Sequence, residues 1–241
     1  MRIPTLTLLL LLLGRAATAP AAEVEARLRD AAARIDYGWF TEDLGLITAA
    51  RDSLQTRPSD PWTSYLHAYA SYRAAQLAQA RGRPAAAFLD DCRTSAGAVA
   101  GDAEAEAEAA VLIAACAALA AAAEPLRAVL HQRRQRQALA RAGALEPNNP
   151  RLWLVAFLHA GDDPAAPAPD AMLDAFRARD GAFGFPDWGQ AEALTAVGAR
   201  RLESGDLRGA RDLLEEALLI APDYRTALEL RRRISSQAAG R

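Results

Sequence analysis

The 241-residue chain contains no lysine, and all 28 of its lysine or arginine positions are arginine. Such a bias is what a GC-rich genome produces, although arginine also suits planar anionic partners. With 30 carboxylates against those arginines the formal net charge is −2. The chain as a whole therefore has no general attraction for nucleic acid or for an anionic membrane. Aromatic residues make up only 6% of the sequence and β-branched residues are scarce, which excludes an extensive sheet. Half of the residues are apolar and alanine dominates them, so the expected fold class is all-α.

Catalytic patterns are equally sparse. His67, His131 and His159 stand alone, and neither H-E-x-x-H nor C-x-x-C occurs. There is no phosphate-binding glycine loop and no nucleophile elbow. Gly181, Gly184 and Gly189 have no strand before them, and Phe183, Phe185, Pro186 and Trp188 make that stretch read as a packed connector. Glu104, Glu106 and Glu108 alternate, which spreads them around a helix instead of pairing them. The sequence predicts no enzyme, no cofactor and no metal.

Only two cysteines are present, Cys92 and Cys116. Measured from a turn near Gly101, they lie nine residues before and fifteen after it. At about 1.5 Å per residue that is an axial offset of roughly 9 Å, beyond the reach of a disulfide. Pairing requires a turn nearer Ala103 or Glu104; two buried thiols are the default expectation, and a disulfide is the alternative that an oxidising, exported setting leaves open.

At the amino end, Arg2 precedes the run Leu8 to Leu13 and then Ala16-Ala17-Thr18-Ala19-Pro20-Ala21. This is the pattern of a secretory signal peptide over 1–21, with an apolar core too short to span a bilayer. No cysteine stands directly after the leucine run, which argues against a lipoprotein. The mature chain is expected to be periplasmic or secreted, with no stable membrane insertion after cleavage.

Periodicity punctuated by Pro, Gly and Asp predicts about eleven helices. The first runs from Ala22 to Ile35, the Tyr37-Gly38-Trp39-Phe40 segment turns the chain, and Thr41 caps the second. Asp60 and Pro61 open a long third helix, Arg83-Pro84 a fourth and Gly101-Asp102 an alanine-rich fifth. That fifth helix is apolar from Ala109 to Ala123 apart from Cys116 and should be buried. Further helices follow from Leu126, Asn149-Pro150, Met172, a stretch around Leu194, and Arg225. The chain divides into a divergent helical lobe over 22–147 and a better-patterned lobe over 148–241.

Within 191–224 the pattern sharpens. Leu194, Val197, Gly198 and Arg201 are followed by Gly205 at a turn, then by Ala210, Leu214, Ala217 and Pro222. This resembles the tetratricopeptide repeat, two antiparallel helices with small residues at their crossing. Leu139, Ala142 and Pro147 repeat the spacing of Leu214, Ala217 and Pro222, and Trp153 falls where the family places its first-helix tryptophan. Trp62, Leu66 and Tyr69 echo the start of the signature. Asn148-Asn149-Pro150-Arg151 and Pro186-Asp187-Trp188-Gly189 are similar to phrases of exported bacterial tetratricopeptide proteins. The resemblance implies an α-solenoid of antiparallel hairpins that binds a partner on its concave face.

Trp62, Tyr65, Tyr69 and Tyr72 share one face of the third helix, flanked by His67 and Arg73. Either the rings fill the seam between helices, or Trp62, Tyr65, Tyr69, Tyr72 and Arg73 line a groove that holds a peptide or small ligand. Two functions follow. One is a scaffold or assembly factor for an envelope protein or its peptide segment. The other is a small-ligand carrier serving a transporter, with the Trp62–Tyr72 face and the Trp153–Phe157 helix enclosing a pocket. Arg133, Arg134 and Arg136, like Arg231 to Arg233, form either a solvated face or a site for an acidic partner.

Overall fold

The computed structural model describes residues 19–55, 60–159, 168–179 and 188–239. Apart from Ala19 to Ala21, the expected signal peptide lies outside them, as does the Phe183–Pro186 connector. The helices are α1 (Ala19–Phe40), α2 (Leu44–Gln55), α3 (Pro61–Ala80), α4 (Ala86–Gly97), α5 (Ala103–Ala123) and α6 (Ala128–Leu145), with a 3-10 turn at Pro125–Arg127 leading into α6. They continue with α7 (Pro150–His159), α8 (Pro169–Arg179), α9 (Gln190–Glu203), α10 (Leu207–Ile220) and α11 (Arg225–Ala239). No strand occurs among the described residues, so the fold is all-α.

Each helix packs on the next along the chain. In addition α1 touches α3, α3 touches α5, α5 touches α7, and α9 touches α11. Alternate helices thus touch in two runs, α1–α3–α5–α7 and α9–α11. α5 packs against α3, α4, α6 and α7. Its alanines at 105, 107, 109, 110, 114, 115, 117, 118 and 120 are buried, because a methyl side chain lets neighbouring backbones approach on several sides.

Local chemistry fixes the helix starts. Asp60 accepts from the Thr63 amide at 3.0 Å and Pro61 takes the first helical position. Asp102 accepts from Ala105 N at 2.9 Å, and Asp206 from Gly209 N at 2.9 Å. The first turn differs from expectation. α1 continues through Tyr37-Gly38-Trp39 to Phe40, and the chain reverses only at 41–43, where Glu42 takes φ +57°. Gly38 marks a close crossing: a Cβ there would lie 2.7 Å from Ile47 Cγ1. Asp43, not Thr41, caps α2 by accepting from Leu46 N at 3.0 Å, while the Thr41 hydroxyl donates back to Tyr37 O.

Cys92 and Cys116 form a disulfide, with Cα atoms 6.7 Å apart. The expectation of two free thiols assumed a tight turn. Instead α4 ends at Gly97 and α5 starts at Ala103, and the five residues between them can span about 16 Å when extended. The cysteines lie five and thirteen residues from those helix ends, an offset of about 12 Å that this connection makes up.

The repeat-like residues occupy one hairpin. Leu194, Val197, Ala210, Leu214 and Ala217 are buried between α9 and α10, and Pro222 is exposed just after α10. A Cβ on Gly198 would meet Leu214 Cγ at 3.3 Å, so hydrogen at this position sets the helix separation. Gly205, at φ +87°, makes the turn between them.

Candidate interaction site

α3 is buried without interruption from Tyr65 to Ala75, so its aromatic stripe faces other protein and not solvent. Tyr65 stacks near Tyr69 with centroids 6.5 Å apart, and Tyr69 stacks on Trp188 at 5.2 Å. Trp62 meets Tyr65 edge-on at 5.5 Å. Trp188 Nε1 donates to the Tyr65 hydroxyl at 2.6 Å, and the Tyr69 hydroxyl donates to Asp36 Oδ1 at 2.5 Å. Burial pushes all three tyrosines up in pKa, Tyr72 to about 12. Tyr65 and Tyr69 act as neutral hydrogen-bonding groups.

Arg73 lies inside this cluster. Its guanidinium sits 4.5 Å from the Trp39 ring, 5.1 Å from Tyr69, 5.4 Å from Tyr72 and 5.1 Å from Trp188. Nε donates to the Tyr69 hydroxyl and Nη1 to Gln76 Oε1, each at 3.0 Å, while Nη2 pairs with the Glu192 carboxylate. Burial opposes the charge, but Tyr69, Glu192 and Tyr72 outweigh it and hold the guanidinium more firmly protonated than usual. Glu192 also accepts from Gly189 N at 3.1 Å, so one carboxylate both closes the start of α9 and neutralises Arg73.

A second buried ionic centre also borders Trp188. Arg151 Nη1 reaches Glu108 Oε1 at 3.0 Å, Asn149 Nδ2 donates to the same oxygen at 2.8 Å, and Arg151 Nε donates to Trp188 O at 2.9 Å. The Arg151 guanidinium stands 5.6 Å from the Trp188 ring. Trp188 is thus the joint where α3, α5, α7 and α9 meet.

These contacts correct the groove reading of the stripe. Tyr65, Tyr69, Tyr72 and Arg73 are closed off from solvent, and Trp62 alone keeps partial exposure. Trp188 and Glu192 fill the space in which a peptide or small ligand was expected. Trp153 and Phe157 belong to the same packed interior: Trp153 Nε1 donates to Pro147 O at 3.1 Å and Phe157 is buried. His67 bonds Ser95 at 2.8 Å on α4, and among the described residues no three His, Cys, Asp or Glu side chains could hold a metal.

The open surface lies elsewhere. Phe40 and Tyr224 pack with centroids 5.0 Å apart, bringing the end of α1 against the start of α11, and Arg225 reaches Glu42 at 3.7 Å. Around this junction two adjoining hollows of about 680 and 430 Å³ share Tyr37, Thr41 and Arg225. Tyr37 is 54% exposed on their common wall. Arg81, Arg83 and Arg232 add positive charge around the rim, and Glu42, Asp43, Asp223 and Glu229 add carboxylates. Arg81 is held in place by donating to the Glu42 carbonyl. This cleft has a solvent-facing aromatic beside several guanidinium groups, the side chains that most often anchor protein partners.

Sequence reasoning missed the cleft because Tyr37 belongs to a segment that reads as a turn, and because Arg225 follows it by most of the chain. The one available signal was the cluster of three aromatics in Tyr37-Gly38-Trp39-Phe40, in a chain that is only 6% aromatic. No protein-family model, curated protein or solved structure matches the chain.

Proposed function

We propose that the protein is an exported helical-repeat scaffold or assembly factor that holds a segment of an envelope protein in the cleft between α1 and α11. The resemblance of 191–224 to a tetratricopeptide repeat and the contacts between alternate helices from α1 to α7 support a solenoid arrangement, and the leader-like amino end supports export. The observation that carries the reading is the exposed Tyr37 ring at the shared wall of two open hollows rimmed by Arg81, Arg83, Arg225 and Arg232. Such an open, mixed-charge cleft suits an extended peptide carrying acidic side chains, because an aromatic anchor supplies contact area while arginines select carboxylates. A small-ligand carrier would need an enclosed apolar chamber, and the rings that were to form it are packed against one another.

The test is site-specific crosslinking in the native cells. A photoreactive phenylalanine replaces Tyr37 in one sample and exposed Arg208 on α10 in another. The expected result is one envelope protein crosslinked from position 37 and not from 208, with the yield lost on adding Arg83→Glu. Identical products from both positions, or none from 37, would rule the cleft out.

A further inference from the structure

The tip of the α5–α6 hairpin carries the most exposed large apolar side chain among the described residues, Leu126, and two further exposed ones beside it. Leu126 is 103% exposed, Val129 75% and Leu130 58%, with exposed Ala122, Ala123 and Pro125 beside them. An exposure of that size means that Leu126 touches almost nothing, so it stands on a protrusion. The one carboxylate at the tip, Glu124, is answered by Arg127 and His131, each at 3.5 Å. From Pro125 to Leu145 there is no other carboxylate.

One turn further along, Arg133, Arg134 and Arg136 are exposed and make no ion pair or hydrogen bond with any described residue. At about 100° per residue, Val129, Leu130, Arg133 and Arg136 fall within an arc of about 120° on the outer face of α6. The arginines follow Leu130 by three to six residues, an axial distance of about 5–9 Å. That matches the depth of roughly 5–10 Å to which apolar side chains enter the boundary between lipid headgroups and acyl chains.

We infer that this tip docks reversibly on an anionic phospholipid surface. Leu126, Val129 and Leu130 enter the boundary layer, and Arg133, Arg134 and Arg136 meet the lipid phosphates. Charge polarisation supports this, since a chain of net charge −2 concentrates five arginines against one glutamate between 124 and 145. Shape favours lipid over protein. A protein partner must supply a pocket shaped to a projecting leucine, whereas a fluid bilayer needs no such complementarity. The attachment is peripheral, because α5, though long and apolar enough to cross a membrane, is largely buried inside the fold.

The experiment is co-sedimentation of the full chain with vesicles of phosphatidylcholine alone and of phosphatidylcholine with phosphatidylglycerol. Leu126→Ser/Val129→Ser/Leu130→Ser and Arg133→Gln/Arg134→Gln/Arg136→Gln variants run beside the wild type. The wild type should bind only the anionic vesicles and release at high salt. Each arginine should contribute roughly fivefold, so the arginine variant should weaken on the order of a hundredfold, and the serine variant should also lose binding. Circular dichroism melting checks that both variants fold; should one not, Leu126→Ser or Arg136→Gln alone takes its place. Wild-type protein that ignores anionic vesicles would overturn the proposal and leave the tip to a protein partner. Equal binding of wild type and variants would overturn it as well, assigning attachment to another segment such as the leucine-rich amino end.

Discussion

Trp188 Nε1 donates to the Tyr65 hydroxyl across 2.6 Å, joining side chains 123 positions apart in the core. Replacing either partner leaves a buried polar group without its mate, whereas replacing both leaves two apolar rings. Trp188→Phe and Tyr65→Phe should each cost about 1–3 kcal/mol, and the double variant should cost less than their sum. Urea unfolding of the four proteins measures this; strict additivity would mean that the bond contributes nothing of its own.

The Arg73–Glu192 pair makes a stronger case, because both groups are buried. Arg73→Met should destabilise by about 3–5 kcal/mol by stranding the carboxylate, and adding Glu192→Gln should recover part of that loss. A single variant costing under about 1 kcal/mol, the range of an exposed pair, would contradict the buried geometry.

The Cys92–Cys116 bridge closes a loop of 24 residues in sequence separation. Loop entropy then assigns it about 3 kcal/mol of stability, to be lost in a Cys92→Ser/Cys116→Ser variant. A thiol assay in denaturant should find no free cysteine in the untreated protein. Two titratable thiols would refute the bridge.

How much of this was legible depends on range. The helix starts at Asp60 and Asp102 and the hairpin around Gly198 and Gly205 are local, so spacing alone predicts them. Gly38 was not legible, since a glycine chosen for close approach to Ile47 looks the same in sequence as one that ends a helix. The disulfide was hidden by the length of one connection. The fate of the aromatic stripe was least legible: periodicity puts four rings on one face but does not say what covers it. The cover comes from two places: Trp188 from a glycine-rich stretch that offers no helical period of its own, and Glu192 from the first turn of α9.

Stability should also depend on acidity through two histidines. Burial lowers the pKa of His67, helped by the Arg51 charge, and burial lowers that of His159. Unfolded imidazole titrates near about 6.5, so below that value the unfolded chain binds more protons than the folded one. This contribution is complete above about pH 6.5 and is lost as pH falls towards the depressed folded-state values. Melting temperature from pH 7.5 to 5 should therefore fall less in His67→Asn/His159→Asn than in wild type. Parallel curves would show that the two imidazoles do not carry the effect.

The long reach of Trp188 sets an order of events during synthesis. Tyr65 and Arg73 leave the ribosome more than a hundred residues ahead of Trp188 and Glu192. Until those residues arrive, the nascent first lobe carries a bare row of rings and an uncompensated guanidinium, the kind of surface on which chaperones act and at which incomplete chains aggregate. The carboxyl-terminal hairpin therefore finishes the amino-terminal lobe, and a chain cut short before residue 188 would be left with a sticky, half-made interior and not with a smaller working module.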